Sequence, residues 1–295
     1  MRIGILGNEN SWYVDQLCRA AKERRHEAFA LQFPDFRSTI RNNSLTLSIG
    51  DLDLGSLDAL IVRTMPPGSL EQVVSRMDFL AGVESLGVRV INSPKAMECA
   101  VDKYLTSQRL ALADIPVPDT CVCETADQAL EAFEALGGDV VVKPLFGAEG
   151  RGILRVDHPE LALRTFRTLE RLNATIYLQR FLAGPAEDIR ILLLDGKLVA
   201  SMKRSAATGD FRANAAQQGT SVPWQPTAEE LDLACRAADE TATTFAGVDL
   251  MYDSNGRAVV IEVNAVPGWR AIQKTCACDV PSIVLNWIES QVAAK

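Results

Sequence analysis

VVIEVNAVPGW, residues 259–269, reads as a buried strand that runs into a Pro-Gly turn. Its apolar run is interrupted by a carboxylate, Glu262, and an amide, Asn264, two positions apart and so on one side of the strand. An unpaired carboxylate in such a setting costs several kcal/mol, so something must offset it. The residues just upstream supply a partner. Asn255-Gly256 is a strong signal for a two-residue type I′ hairpin turn. With Ser254 and Arg257 flanking it, Asp249 falls opposite Glu262, and Gly247 opposite Asn264. Two opposed carboxylates repel unless a cation sits between them or one holds a proton. On this register Leu250, Ile261 and Val263 load the other face, while Met251 and Val260 share the acidic face. A plain solvated face fits that pattern poorly. Two carboxylates and an amide oxygen suit Mg²⁺, which completes its shell with water and phosphate.

A magnesium site of this kind calls for phosphate-binding parts. VVKPLFGAEGRG, residues 141–152, places Lys143 at the end of a β-rich run, ahead of Gly147, Gly150 and Gly152. Glycines let backbone N–H groups close over a phosphate, and lysine adds a point charge. The lysine precedes the glycines and G-K-[ST] is missing, so this is not a Walker A loop; a tight turn explains the segment about as well. Lys103, inside an expected helix, reads by itself as an exposed lysine. In SMKRSAATGDFRAN, residues 201–214, basic residues cluster. The Asp195-Gly196 hairpin sets Glu187 against Arg204 and Asp188 against Lys203, either as cross-strand ion pairs or as an anion-handling wall.

The remaining chain bounds the function class. Its 295 residues exceed one small core and suit two or three compact units. A net charge of -8 disfavours nucleic-acid binding. No apolar run approaches the length of a membrane span, and MRIGILGNEN reads as a first strand and not a signal peptide. Seven scattered cysteines fit a reduced, cytoplasmic chain. The pairs Cys121/Cys123 and Cys276/Cys278 are spaced too narrowly for ordinary structural zinc. Two histidines leave little for His-based catalysis. Over residues 1–92 strands and helices alternate, which predicts a small parallel sheet covered by helices. GILG there lacks the glycine fingerprint of a dinucleotide site. Ser93-Pro94 opens a helix through KAMECAVDKYLTSQRLALA. Residues 93–180 then form a helix plus a central lobe, and residues 181–295 a lobe of two hairpins and a helix that carries the metal strand.

Taken together, Lys103, VVKPLFGAEGRGI, LQRFL, EDIRILLLDGKLVASMKR, GDFRAN, AGVDL and VIEVNAVPG resemble the ATP-grasp ligases in order and spacing, most closely the RimK-like glutamate ligases. The resemblance spans roughly residues 93–290. It implies a mixed α/β and α+β architecture, an ATP-grasp fold behind an N-terminal parallel-sheet pre-ATP-grasp domain. It assigns Lys103, Lys143, Gly147, Gly150 and Gly152 to the ATP phosphates, and the hinge Gln179, Arg180, Phe181 and Leu182 to adenine. Asp188 goes to the ribose. Arg212 and Asn214 face the γ-phosphate and the reacting carboxylate, with Arg190 or Arg204 as a carboxylate clamp. Asp249, Glu262 and Asn264 become ligands of Mg²⁺, with two ions expected and Mn²⁺ able to substitute.

The implied activity is ATP-dependent amide formation between a small-molecule carboxylate and an amino acid, through an acyl phosphate. No nucleic acid or membrane takes part, and a homo-oligomer is left open. Three departures bear on the substrate. Arg180 replaces an acidic hinge residue, AAQQGT at 215–220 replaces a basic segment, and Trp269 and Arg270 replace smaller residues. With VRTMPPGSLEQVVSRMD, these look like the branch that adds glutamate to tetrahydromethanopterin or methanofuran-type cofactors. Trp269 is then either a stacking platform for a flat acceptor or a core residue. The rival readings are a D-alanine–D-alanine-like ligase, a glutamate ligase for protein tails, and a non-catalytic ATP-binding regulator.

Overall fold

The computed structural model of the chain describes residues 1–147, 151–207 and 219–293. The first ninety residues alternate as expected: β1 (Arg2–Leu6), α1 (Trp12–Glu23), β2 (Glu27–Leu31), then β3 (Phe36–Arg41), β4 (Ser44–Ile49) and β5 (Leu52–Asp53), followed by β6 (Ala59–Val62), α2 (Leu70–Ser85) and β7 (Arg89–Ile91). Strands β2-β1-β6-β7 make a parallel sheet. The antiparallel β3-β4-β5 sheet is an addition that the βαβ reading did not contain. Its turn is Asn42-Asn43, both at positive φ, which asparagine tolerates better than most residues.

The helix opened by Ser93 does not run unbroken. Ser93 caps it by accepting from the Ala96 N–H, with Pro94 in the first turn, as its sequence predicts. The chain then breaks at Asp102, giving α3 (Pro94–Val101) and α4 (Lys103–Leu112). The Asp102 carboxylate accepts from the N–H groups of Tyr104 and Leu105 at 2.9 and 3.0 Å, an N-cap that starts a new helix instead of continuing the old one. The central lobe follows: β8 (Thr120–Cys123), α5 (Ala126–Ala135), β9 (Val140–Lys143), β10 (Leu154–Val156), α6 (Pro159–Arg171) and β11 (Ile176–Arg180). Its antiparallel sheet has the order β10-β9-β11-β8. Ala129, Phe133, Phe166 and Leu178 form part of a core confined to this lobe.

The last lobe holds β12 (Glu187–Leu194), β13 (Lys197–Ser205), β14 (Thr220–Pro223), α7 (Ala228–Glu240), β15 (Phe245–Tyr252), β16 (Ala258–Asn264), α8 (Arg270–Cys276) and α9 (Val280–Ala293). One sheet orders the strands β14-β13-β12-β15-β16. Its core is shared with the N-terminal sheet: Ile3, Ile5 and Ile61 pack in one cluster with Leu192, Phe245, Trp269 and Leu285. Asn92, buried at the end of β7, reinforces this junction. Its amide donates to the carbonyls of Phe245 and Ala265 and accepts from the Phe245 N–H, so a side chain takes the place of a peptide group between the two units. No helix among the described residues is long and apolar enough to cross a membrane.

Two hairpins differ from their sequence reading in instructive ways. The β12–β13 turn is type I′, with Asp195 and Gly196 both at positive φ. A bulge beyond Leu193 then shifts the register by one, so Asp188 lies opposite Arg204 and Glu187 opposite Ser205. This corrects the expected pairs. At the other hairpin the turn is longer than two residues. Gly256 alone has positive φ, and its N–H bonds to the Asp253 carbonyl while Asp253 N–H bonds to Arg257. A bulge at Ile261 restores the alignment, and Asp249 stands opposite Glu262 after all, with Gly247 opposite Asn264. The bulge also moves Val260 off the acidic face: it pairs with Leu250 and is buried in the core of this lobe.

Candidate active site

The break at Asp102 determines where Lys103 goes. As first residue of α4 its Nζ reaches the Gly147 carbonyl at 2.7 Å, and its backbone N–H bonds to Leu145. Lys103 is therefore a half-buried contact between α4 and the loop after β9, not a plain surface lysine. Lys143 ends β9, and its Nζ donates to the Gln179 side-chain oxygen at 2.6 Å. Gln179 is buried and also donates to Thr120 and Tyr177, while Ser107 from α4 meets the Tyr177 hydroxyl at 3.0 Å. Burial pushes the Lys143 ammonium down to about 8; Glu262 opposes that shift and Lys103 adds to it. Lys103 is lowered by the same burial, again opposed by Glu262. Glu262 from β16 thus sits in the field of both lysines.

Gly147 and Gly152 bracket the loop, Gly152 at φ +73 where glycine is favoured. Gly150, Arg212 and Asn214 lie outside the described residues. In the hinge, the N–H of Arg180 already bonds Asp119 O at 2.8 Å and that of Phe181 bonds Asp139 O at 3.0 Å. Arg180 pairs at the surface with Asp119 at 3.1 Å. The Phe181 ring lies under the Arg155 guanidinium, 3.8 Å from its centroid. Leu182 follows, half-buried. The N–H groups of Arg180 and Phe181 are thus both bonded within the central lobe.

The second cluster lies on β12, β13 and β15. Arg190 grips Asp249 through both Nε and Nη2, the latter at 2.6 Å. Arg204 binds Asp188 through Nε and Nη2 at 2.5 and 2.8 Å, and also reaches Asp249 at 3.0 Å. All four residues are largely buried. Burial opposes the charge of Asp249, but Arg190 and Arg204 outweigh it and hold the carboxyl below its usual range. Burial and the neighbouring Asp249 push Asp188 up to about 6 despite Arg204. Lys203 pairs with Glu187 at 3.0 Å. In this arrangement Asp188 is engaged with Arg204, and Arg190 and Arg204 are both engaged with aspartates.

Asp249, Glu262 and Asn264 occupy neighbouring positions at the end of the β15–β16 ladder, Asp249 opposite Glu262 and Gly247 opposite Asn264. Asn264 Nδ2 donates to Gly247 O at 3.2 Å, which leaves its Oδ1 as the acceptor. The set offers hard oxygen donors and no soft ones, which fits Mg²⁺. Asp249 fits on the condition that it shares its carboxylate with Arg190.

Trp269 resolves in favour of the core. It is fully buried, edge-on to Tyr13 at 4.8 Å and packed on Phe245. It offers no platform for an acceptor. Arg270 is exposed, with its guanidinium over Trp12. Three polar residues at the lysine cluster, Ser107, Thr120 and Tyr177, escaped the sequence reading. Tyr177 was within reach of it: it lies two residues before Gln179, hence on the same face, and opposite Lys143 in the ladder.

Three lobes, with two lysines from the central unit facing a carboxylate strand of the last, define the class: an ATP-grasp ligase, forming carbon–nitrogen bonds. The sequence pattern of the RimK-like ATP-grasp domain matches residues 100–288, and that of the RimK pre-ATP-grasp domain matches residues 1–97. The chain belongs to the RimK-like ATP-grasp family. It is 30% identical to a tetrahydromethanopterin:alpha-L-glutamate ligase of Methanosarcina acetivorans, over 98% of this chain and 99% of the other. It is 31% identical to a probable alpha-L-glutamate ligase of Aliivibrio fischeri, over 100% and 97% respectively. Among solved structures, the ATP-grasp ligase PsnB complexed with a minimal precursor variant, Mg and ADP superposes with a TM-score of 0.78. The two are 19% identical, with 98% of each chain covered.

Proposed function

We propose that this chain joins L-glutamate to the carboxylate of a small molecule of the one-carbon cofactor type, using ATP and Mg²⁺. The observation that carries the reading is the convergence of Lys103, Lys143 and Glu262 from three separate elements. Glu262 and Asp102 both act on Lys103, yet the two ammonium groups themselves donate to neutral oxygens of Gly147 and Gln179, an arrangement suited to an anion with several charges such as a triphosphate. The glutamate ligases above support the amino acid. The methanopterin relative supports the acceptor class.

In this reading the acceptor carboxylate attacks the γ-phosphorus of ATP and ADP leaves. The amine nitrogen of glutamate then attacks the acyl carbon, and phosphate departs with the C–O electron pair while the nitrogen loses a proton. Both steps build negative charge, which preorganised cations stabilise. Lys103 and Lys143 hold the phosphates, and Lys143 keeps the Gln179 side chain aligned beneath the hinge. Asp249, Glu262 and Asn264 would hold Mg²⁺, which neutralises charge on the phosphates. Domain limits of 1–92, 93–180 and 181–295 accompany this proposal, with the nucleotide between the second and third units.

The test is ADP release with ATP, Mg²⁺, L-glutamate and a set of carboxylate cofactors, together with the mass of the product. A product heavier by one glutamyl unit per ADP supports the reading. ADP release without glutamate incorporation, or incorporation of D-alanine in its place, removes it.

A further inference from the structure

Arg63 is a buried cation for which the site above has no use. It is the first residue after β6, and its N–H bonds the Leu6 carbonyl at the end of β1 at 2.7 Å. In the sheet order β2-β1-β6-β7 the chain runs outward from β1 to β2 and then crosses back to β6 on the other side. The strand order therefore reverses between β1 and β6. Open parallel sheets take ligands beyond the carboxyl ends of their strands at such a point.

Arg63 as a whole is 7% exposed. Its guanidinium lies 4.1 Å from the Trp269 ring centroid and 5.2 Å from that of Tyr13. Nη2 donates to the Pro267 carbonyl at 2.6 Å, while Nε is buried without a hydrogen-bond partner. Burial lowers its pKa to about 9. No carboxylate among the described residues pairs with it, unlike Arg190 and Arg204. Aromatic faces attract the charge, yet a neutral side chain could fill the same space without desolvating a cation. The position is also next to the chemistry. A Cβ added at Gly247 would meet Pro267 at 2.9 Å and Arg190 Nη1 at 3.0 Å. The turn that Arg63 holds and the Arg190 side chain thus lie against the same glycine, Gly247, and Pro267 follows Asn264 by three residues.

We propose that Arg63 binds a carboxylate of the incoming amino acid, beyond the carboxyl ends of β1 and β6 and beside the Pro267 turn. This rests on the ligase reading above and deepens it. Glutamate brings two carboxylates to a site whose described arginines on β12 and β13 are already saturated. Arg63 supplies the missing positive charge, and an anion there relieves the cost of its burial.

The experiment measures calorimetric binding of L-glutamate to the full chain with a non-hydrolysable ATP analogue and Mg²⁺, for wild type, Arg63→Met and Arg63→Lys. Arg63→Met should weaken glutamate at least about tenfold, the order expected for a lost charged hydrogen bond, with Arg63→Lys in between. The Arg63→Met melting temperature should hold or rise and analogue affinity should stay the same. Glutamate affinity unchanged in Arg63→Met overturns the proposal, as does a wild type that binds the analogue but not glutamate. A wild type that fails to bind the analogue removes the ligase reading as well. Should Arg63→Met not fold, wild-type preference for L-glutamate over both of its mono-amides decides. Preference for glutamate over at least one of them by about tenfold supports the anchor, and equal affinity for all three overturns it.

Discussion

On the side of β9 and α4, two lysines share the field of Glu262, with Asp102 acting on Lys103 as well, and both donate to neutral oxygens. On the side of β12 and β13, two arginines are bound to two aspartates. The first cluster leaves its ammonium groups without a direct carboxylate partner among the described residues, and burial shows in it as a lowered Lys143. The second is internally neutral, and Asp249 stays ionised because its partners outweigh burial. On the proposed function the lysines await a ligand, whereas the paired arginines and aspartates tie β12, β13 and β15 together. The aspartate of the proposed metal set belongs to both, since Asp249 faces Glu262 while held by Arg190.

That contrast breaks most readily at Asp249. Replacing it with alanine leaves Arg190 and Arg204 short of a partner, and breaking a buried pair costs about 3–5 kcal/mol. Urea unfolding should show that loss; a change under about 1 kcal/mol would mean the arginines are not anchored by it. Glu262→Ala acts on the other cluster. It should leave cooperative unfolding intact but lower Mg²⁺-dependent ADP release roughly a hundredfold or more, the scale of losing a charge-stabilising group. Full activity in that variant would remove Glu262 from the site.

The smallest effect concerns pH. Lys143 has a folded value of about 8, below its ordinary 10.5, so between these values the unfolded chain holds the proton that the folded chain has lost. Stability then rises with pH across this window, relative to a Lys143→Met control. The charged form that the proposed function assigns to the phosphates is lost over the same rise. The Kd for ATP should increase as pH passes 8, and Lys143→Arg should not show the increase. A wild-type profile flat from pH 7 to 9.5 would contradict the lowered value.

The motif order carried the fold because each motif sits on a definite element: the lysine at the end of β9, the hinge at the end of β11, the acids on β15 and β16. Register was legible only through compensation. The three-residue tip and the bulge at Ile261 shift the ladder in opposite directions, so a two-residue turn reached the right partners for Asp249 while misplacing Val260. At β12–β13 the turn type was right, but the bulge past Leu193 had no counterpart, and the pairing came out one residue off. Bulges come from packing against neighbouring strands, which a turn motif does not encode. The β3–β5 sheet was missed although Asn42-Asn43 marks its turn, because alternating polar strands look like loop. Arg63 and Trp269 were beyond sequence reasoning for a different reason. Whether a tryptophan stacks on a ligand or on an arginine from another unit depends on a contact between residues 206 positions apart.

Asn92 has a mechanical consequence. Its amide ties the end of β7 to both Phe245 and Ala265, and the hydrophobic cluster beneath continues through both units. The first and third units then travel as one block. The central lobe has its own core and meets that block through contacts such as Ser107–Tyr177 and Lys103–Gly147. Any swing that admits a nucleotide belongs to residues 120–180, about the strands that flank them. Distances between spin labels should therefore broaden when one label sits on α5 and the other on α9, and stay narrow between α1 and α9.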